Sequence, residues 1–219
     1  MLTPSILISL VLAYLIGSIP TAVWIGKIFY DTDVREYGSG NAGATNTFRV
    51  LGKVAGIPVL LIDCLKGFGA VKLVLVFAEE PISTAAFVNY ELALGITAVI
   101  GHIFPIFAGF RGGKGIATLL GVMLAIHYQG ALGALMVFVV VFAVTRFVSL
   151  GSMCAALAFP FIIVLVYRST VPSLIVFSMF IAILVLITHQ KNIERLFRRE
   201  ESKANISIRN LIKQAGEDD

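Results

Sequence analysis

Residues 116–145 read IATLLGVMLAIHYQGALGALMVFVVVFAVT, a run without a formal charge. At about 1.5 Å per residue it is long for one crossing of a ~30 Å hydrocarbon core and short for two. Its one polar interruption is HYQG at 127–130. As a single helix the run would place Arg111 and Lys114 on one side of a bilayer and Arg146 on the other. Broken at HYQG, it returns to the side on which it started.

Charge decides between the two. Lys and Arg accumulate on cytoplasmic segments. Lys27, Arg35, Arg49 and Lys53 precede the second apolar run, and Arg111 and Lys114 lie two runs later. The stretch from His189 onward holds Lys191, Arg195, Arg198, Arg199, Lys203, Arg209 and Lys213. Two runs separate that stretch from Arg146, so Arg146 belongs on its side. Only an even number of crossings between Arg111 and Arg146 satisfies this, which selects the break at HYQG. Spans are expected at about 2–26, 54–77, 86–106, 116–129, 130–145, 153–167 and 171–188. The amino terminus then faces outward and the carboxyl terminus the cytoplasm. Glu79, Glu80 and Arg168 are left outside.

Composition agrees: 58% of the 219 residues are hydrophobic and 14% charged, more apolar surface than a soluble domain can hide. A membrane β-barrel would show segments of about ten residues with alternating polarity, whereas these runs are continuous. The chain reads as an all-α integral membrane protein of seven transmembrane helices. The first run has no basic lead and no small-x-small exit, so it is expected as a retained span. Cys64 and Cys154 both fall inside apolar runs and read as small buried hydrophobes. The Asn205-Ile206-Ser207 sequon lies on the cytoplasmic side, the wrong compartment for glycosylation. No internal repeat or second domain stands out.

On this topology three polar islands gather at the inner face. GSGNAGATNTFR (38–49) combines glycines that favour an anion-binding nest with the neutral donors Ser39, Asn41, Thr45 and Asn46, and ends in Arg49, whose planar charge suits phosphate or carboxylate. GHIFPIFAGFRGGKGIAT (101–118) is not a P-loop: Gly115 follows Gly113-Lys114 where Ser or Thr is required, and an apolar helix precedes it instead of a strand. It still offers glycine amides and Lys114 at a helix amino terminus, a second anion-friendly position. His102 within it reads as a structural histidine. HQKNIERL (189–196) sets His189, Asn192 and Arg195 near one helical face. In the second span Asp63 and Lys66 either neutralise each other or leave Lys66 free to reach an anion. Ser149 and Ser152 flank the start of the sixth span. No cluster has metal-ligand spacing, no Ser-His-Asp arrangement is visible, and nothing points to a nucleic-acid partner or a cofactor. The residues alone define a membrane enzyme or a transporter for a phosphorylated metabolite, with the oligomeric state left open. A transporter of that kind commonly shows related halves and a midplane site; here the halves differ and the islands share one face.

The three islands in this order, with Asp63-Cys64-Leu65-Lys66-Gly67 and RFVSLGS (146–152), resemble the bacterial acyl-phosphate:glycerol-3-phosphate acyltransferases. The resemblance covers one domain, about residues 1–200, and leaves 201–219 as a basic/acidic cytoplasmic tail. It implies acyl transfer from acyl phosphate to the 1-hydroxyl of glycerol 3-phosphate in the bacterial cytoplasmic membrane. The products would be lysophosphatidic acid and phosphate, at the start of phospholipid synthesis, with the active site facing the cytoplasm. It also implies site residues. Ser39, Asn41, Gly43 and Thr45 would form the phosphate-holding loop with Asn46 nearby, and Lys66 would contribute to substrate binding. Arg49, Lys114, Ser152, His189 and Asn192 would bind and orient glycerol 3-phosphate, with Ser149 the alternative to Ser152. His189, Ser39 and Asn192 are the expected catalytic set, and either His189 or a donor phosphate oxygen takes the proton.

Overall fold

The computed structural model describes residues 3–82 and 84–204. The Asn205 sequon, Arg209 and Lys213 lie outside the described residues. The described chain is helical throughout: α1 (Pro4–Gly17), α2 (Thr21–Tyr30), α3 (Ala44–Leu51), α4 (Lys53–Lys72), α5 (Val74–Phe77), α6 (Ala85–Ile103), α7 (Ile116–Thr145), α8 (Val148–Phe161, continued by π turns over Ile162–Val166), α9 (Pro172–Thr188) and α10 (Gln190–Phe197). Three helical segments are long and apolar enough to cross a membrane alone, or five if the bent pairs α1–α2 and α9–α10 each count as one. The first expected span is therefore two helices meeting at 41° across Ser18–Pro20, where Pro20 has no N–H to continue a helix.

α7 carries the decisive geometry. A straight helix of its 30 residues would hold its ends about 45 Å apart. Yet Lys114, just before it, bonds Asn192, whose amide donates to Glu201 at 2.6 Å. Glu201 in turn accepts from Ser149, just after α7, at 2.6 Å. Both ends lie at one face, so the helix folds back on itself. The reversal is at His127, whose φ −148°, ψ 76° is not helical. Reversal strands backbone groups on either side, and two side chains take them up. Lys72 Nζ donates to the Ala125 carbonyl at 2.9 Å, and the Gly130 N–H donates to His127 Nδ1 at 3.0 Å. Glu91 Oε1 stands 3.3 Å from Lys72 and balances its charge.

The core lies between the hairpin and its neighbours. Val122, Ala131, Phe159, Ile163, Phe177 and Ile181 form the main cluster, and Ala13, Ala70, Leu94 and Ala98 a second one between α1, α4 and α6. Large apolar side chains such as Leu7, Leu65, Val144 and Phe161 point outward in the lipid-facing pattern. Cys64 and Cys154, expected as buried, are free and only half-buried on α4 and α8: residues beside them such as Leu65 and Leu157 are exposed, so these stretches do not face a closed core. Close approach between α4 and α7 depends on Gly121, where a Cβ would overlap the Cys64 carbonyl. Gly121→Ala is expected to cost about 1–3 kcal/mol through forced separation of the two helices. Gly69→Ala, at a helical position with nothing within 4 Å of the added carbon, is expected to be neutral or slightly stabilising. Thermal unfolding of the two variants in detergent compares them directly.

Candidate active site

The 38–43 loop is built by its own side chains. Gly38 and Gly40 sit at φ 61° and 73°, a region that glycine enters without strain. Asn46, on α3 and almost fully buried, braces the turn. Its Oδ1 accepts from the Ser39 N–H at 2.8 Å, and its Nδ2 donates to the Val34 and Tyr37 carbonyls at 2.7 and 3.1 Å. Its amide is thus spent on scaffolding. Asn41 Nδ2 donates to the Ser39 carbonyl at 3.2 Å, which leaves the Asn41 carbonyl oxygen facing away from that bond. Gly43 caps α3 without a side-chain bond, so the Ala44 and Thr45 amides stay available while the Asn46 N–H turns back to the Gly43 carbonyl. Thr45 and Arg49 are both exposed, one turn apart on α3.

The second island docks onto this loop. The Ala42 N–H reaches the Gly112 carbonyl at 3.5 Å. Gly113 packs against the Ala42 carbonyl and the His102 ring with no room for a side chain. Arg35 ties the same region together from below: it is held by Asp33 at 2.7 Å and donates to the Ala108 carbonyl at 2.8 Å.

The third island closes the cluster. A 61° bend at His189 turns α10 across the end of the bundle. Asn192 Oδ1 receives Lys114 Nζ, and Asn192 Nδ2 donates to Glu201 Oε1 at 2.6 Å. Arg195 Nε donates to Glu201 Oε2 at 2.7 Å. His189 Nδ1 stands 2.8 Å from the Val185 carbonyl. A carbonyl only accepts, so Nδ1 carries the proton and Nε2 presents a lone pair. Burial, with the Lys114 charge behind it, pushes His189 down to about 4, so the imidazole is neutral at physiological pH. Burial pushes the Lys114 ammonium down to about 8, against the pull of Glu201 and with the help of Arg195 and Arg49.

Two expected residues take other positions. Lys66 is 2.8 Å from Asp63 and donates to the Ile19 carbonyl at 2.8 Å, while Thr21 donates to the same carboxylate at 3.0 Å. Its charge is neutralised inside the bundle. The Ser152 hydroxyl donates back to the Val148 carbonyl at 2.9 Å, whereas Ser149 donates into the cluster. Glu201, expected in the solvated tail, is a residue that sequence reasoning missed. A carboxylate in an anion site contradicts the simple charge argument, and no helical spacing connects it to α10. The larger cavity, ≈ 290 Å³ beside Lys72 and Glu91, lies at the other end of α6 and touches none of the islands.

This arrangement defines an integral membrane protein in which a half-buried lysine, an exposed arginine and a neutral histidine meet at one end of a helical bundle, a geometry suited to a phosphorylated substrate. The family described as glycerol-3-phosphate acyltransferase matches residues 7–199. Glycerol-3-phosphate acyltransferases of Listeria monocytogenes and Chlorobaculum tepidum are 48% and 40% identical, the alignments covering 90% and 92% of this chain and 96% and 97% of theirs. The crystal structure of PlsY, an integral membrane glycerol 3-phosphate acyltransferase in its glycerol 3-phosphate form, superposes with a TM-score of 0.81. It is 34% identical, over 92% of this chain and 96% of that one. A second PlsY structure, in the lysophosphatidic acid form, gives 0.77. The chain belongs to the glycerol-3-phosphate acyltransferase family.

The Lys114 shift carries a pH dependence. The ammonium is charged below about pH 8 and loses its proton as pH rises through that value. Between pH 7.5 and 9.0, where a phosphomonoester stays dianionic, glycerol 3-phosphate is expected to bind about eightfold more weakly. Lys114→Arg, charged throughout, is expected to flatten the dependence. Calorimetric titration of both proteins across this range measures it.

Proposed function

We propose that the chain transfers an acyl group from acyl phosphate to the 1-hydroxyl of glycerol 3-phosphate, releasing phosphate and leaving lysophosphatidic acid. The observation that carries this reading is the convergence of Lys114, Asn192, His189 and the Arg49 charge on one position beside the 38–43 loop. Membership of a family of acyltransferases supports it further, and the relatives give no support to the transporter reading. Lys114, Arg49 and the amides at the start of α3 and α7 supply the positive potential for the phosphates. Ser39, Asn41, Gly43 and Thr45 form the wall nearest the donor.

In the chemical step the acceptor hydroxyl oxygen bonds the carbonyl carbon, the anhydride C–O bond breaks, and the electron pair leaves on phosphate. Phosphate is already a good leaving group, so positioning and charge stabilisation are the main tasks. His189 Nε2 orients the hydroxyl by accepting its hydrogen bond. At a pKa of about 4, His189 is a weak proton sink. The leaving phosphate oxygen, which gains basicity as the bond breaks, is the better final acceptor.

The topology is part of the proposal. Seven helical crossings in the bacterial cytoplasmic membrane, amino terminus outside, put the site at the cytoplasmic interface. Positive charge at Arg111, Arg146 and the α10 segment supports this sidedness.

Purified protein in lipid, given acyl phosphate and glycerol 3-phosphate, is expected to release phosphate stoichiometrically with product. Arg49→Ala is expected to raise KM for glycerol 3-phosphate about tenfold with kcat little changed. His189→Ala is expected to lower kcat by about 10²-fold. An unchanged KM in the first variant would remove Arg49 from the site. In a background lacking Cys64 and Cys154, Lys203→Cys is expected to react with an impermeant maleimide in inside-out vesicles only; labelling from the periplasmic side would overturn the orientation.

A further inference from the structure

Glu201 has no role in the reaction outlined above, yet its carboxylate accepts three hydrogen bonds from the site. Its Oε1 accepts from Ser149 on α8 and Asn192 on α10, each at 2.6 Å, and its Oε2 accepts from Arg195 at 2.7 Å. The segment that carries it is fastened down: the Ala204 N–H donates to the Arg146 carbonyl at 2.9 Å, and Lys203 lies over the Phe147 ring at 5.6 Å. With its side chain only 6% exposed, the carboxylate cannot trade these partners for water at small cost.

Two roles fit a buried carboxylate beside an anion site. As a tethered mimic of the substrate phosphate it would occupy the anion position and pair with Lys114 and Arg49. Among the described residues its only ion pair is with Arg195, and Lys114 bonds the Asn192 oxygen instead. The carboxylate lies behind the amide, on the side away from the lysine.

We propose that Glu201 is a positioning residue of the glycerol-3-phosphate site, fixing the Asn192 amide so that its oxygen faces Lys114 and holding Arg195 beside it. The inference rests on the assignment of Lys114 and Asn192 to glycerol 3-phosphate. An amide has two faces, and only a strong acceptor at Nδ2 guarantees that Oδ1 is presented to the ammonium. Burial works to raise the Glu201 pKa, but its bonds from Arg195, Ser149 and Asn192 and the Arg195 charge outweigh burial and keep the group ionised. The charged or titratable groups around Lys114 are Glu201, Arg195, Arg49 and His189. Of these Glu201 is the one anion, and it favours the charged lysine.

Steady-state kinetics of Glu201→Gln and Glu201→Ala in lipid, with glycerol 3-phosphate varied from pH 6.5 to 9.5, test this. Glu201→Gln keeps the shape but replaces an acceptor with a mixed donor and acceptor. It is expected to raise KM about tenfold while changing kcat less than threefold, and to move the alkaline limb of kcat/KM to lower pH, because Lys114 loses its one anionic neighbour. A merely structural role would lower the amount of active protein without moving that limb. Wild-type KM and an unmoved limb in Glu201→Gln would overturn the proposal, whether or not Glu201→Ala folds. A lower KM in either variant would overturn it too, in favour of the tethered-mimic role. Lys114→Ala, run alongside, separates the two levels: wild-type KM there removes the site assignment and the proposal with it, whereas raised KM there with wild-type behaviour of Glu201→Gln removes Glu201 alone.

Discussion

A single run of hydrogen bonds, from Lys114 through Asn192 and Glu201 to Ser149, holds the two ends of α7 together. That closure decides where the polar loops on either side of α7 meet. It forces a long apolar helix to double back, and it puts the loops on either side of that helix at one end of the bundle. The far end of the hairpin must then be satisfied without water, since hydrocarbon offers no partner for a stranded carbonyl or N–H. Lys72 and His127 supply those partners, and Glu91 keeps the lysine from being an isolated charge. A polar cluster at one face thus requires a second, smaller one within the apolar run.

The two internal charge systems differ in balance. In the first, one carboxylate meets one ammonium: Asp63 Oδ1 takes Lys66 and Thr21, with the His102 ring 3.8 Å away. It locks α2 to α4 and has no field to spare. At the site, Arg195 pairs with Glu201, and the charges of Arg195 and Arg49 act on Lys114 against that one carboxylate. Among the described residues this leaves the cluster net positive. Burying that surplus is unfavourable in the empty protein, as the depressed lysine records.

Much of this was legible in the residues. The apolar runs announced the helices, and the parity of basic residues on either side of 116–145 located the reversal at HYQG, one residue of which, His127, breaks the helix. The three islands stood out because polar residues are rare elsewhere. What could not be read was the direction in which each polar side chain turns. Asn46 looks like one more donor in a donor-rich loop, yet it faces inward as the strut of that loop. Ser149 and Ser152 lie one helical turn apart, and only the course of the segment after α10 decides which meets a partner. Lys66 and Asp63 at i, i+3 were open to either reading until the Ile19 carbonyl, from a distant part of the chain, completed the lysine's shell. Glu201 was beyond reach because its contacts depend on how α10 ends, and no periodicity encodes that.

The bend at His189 shows how few residues set the chemistry. His189 is at once the last cap of α9 and the residue from which α10 departs. Its backbone N–H and its ring Nδ1 both reach the Val185 carbonyl, at 3.1 and 2.8 Å. The carbonyl that terminates the helix therefore also selects the imidazole tautomer. Because the bond to the ring is local, the lone pair on Nε2 is set before any substrate arrives. Because the bend is at the same residue, Asn192, three positions on, is placed inward by the turn that also orients the ring. The ring tautomer of His189 and the position of Asn192 are both set by one backbone turn, and the eight-residue helix that follows brings Asn192 to a lysine from another loop.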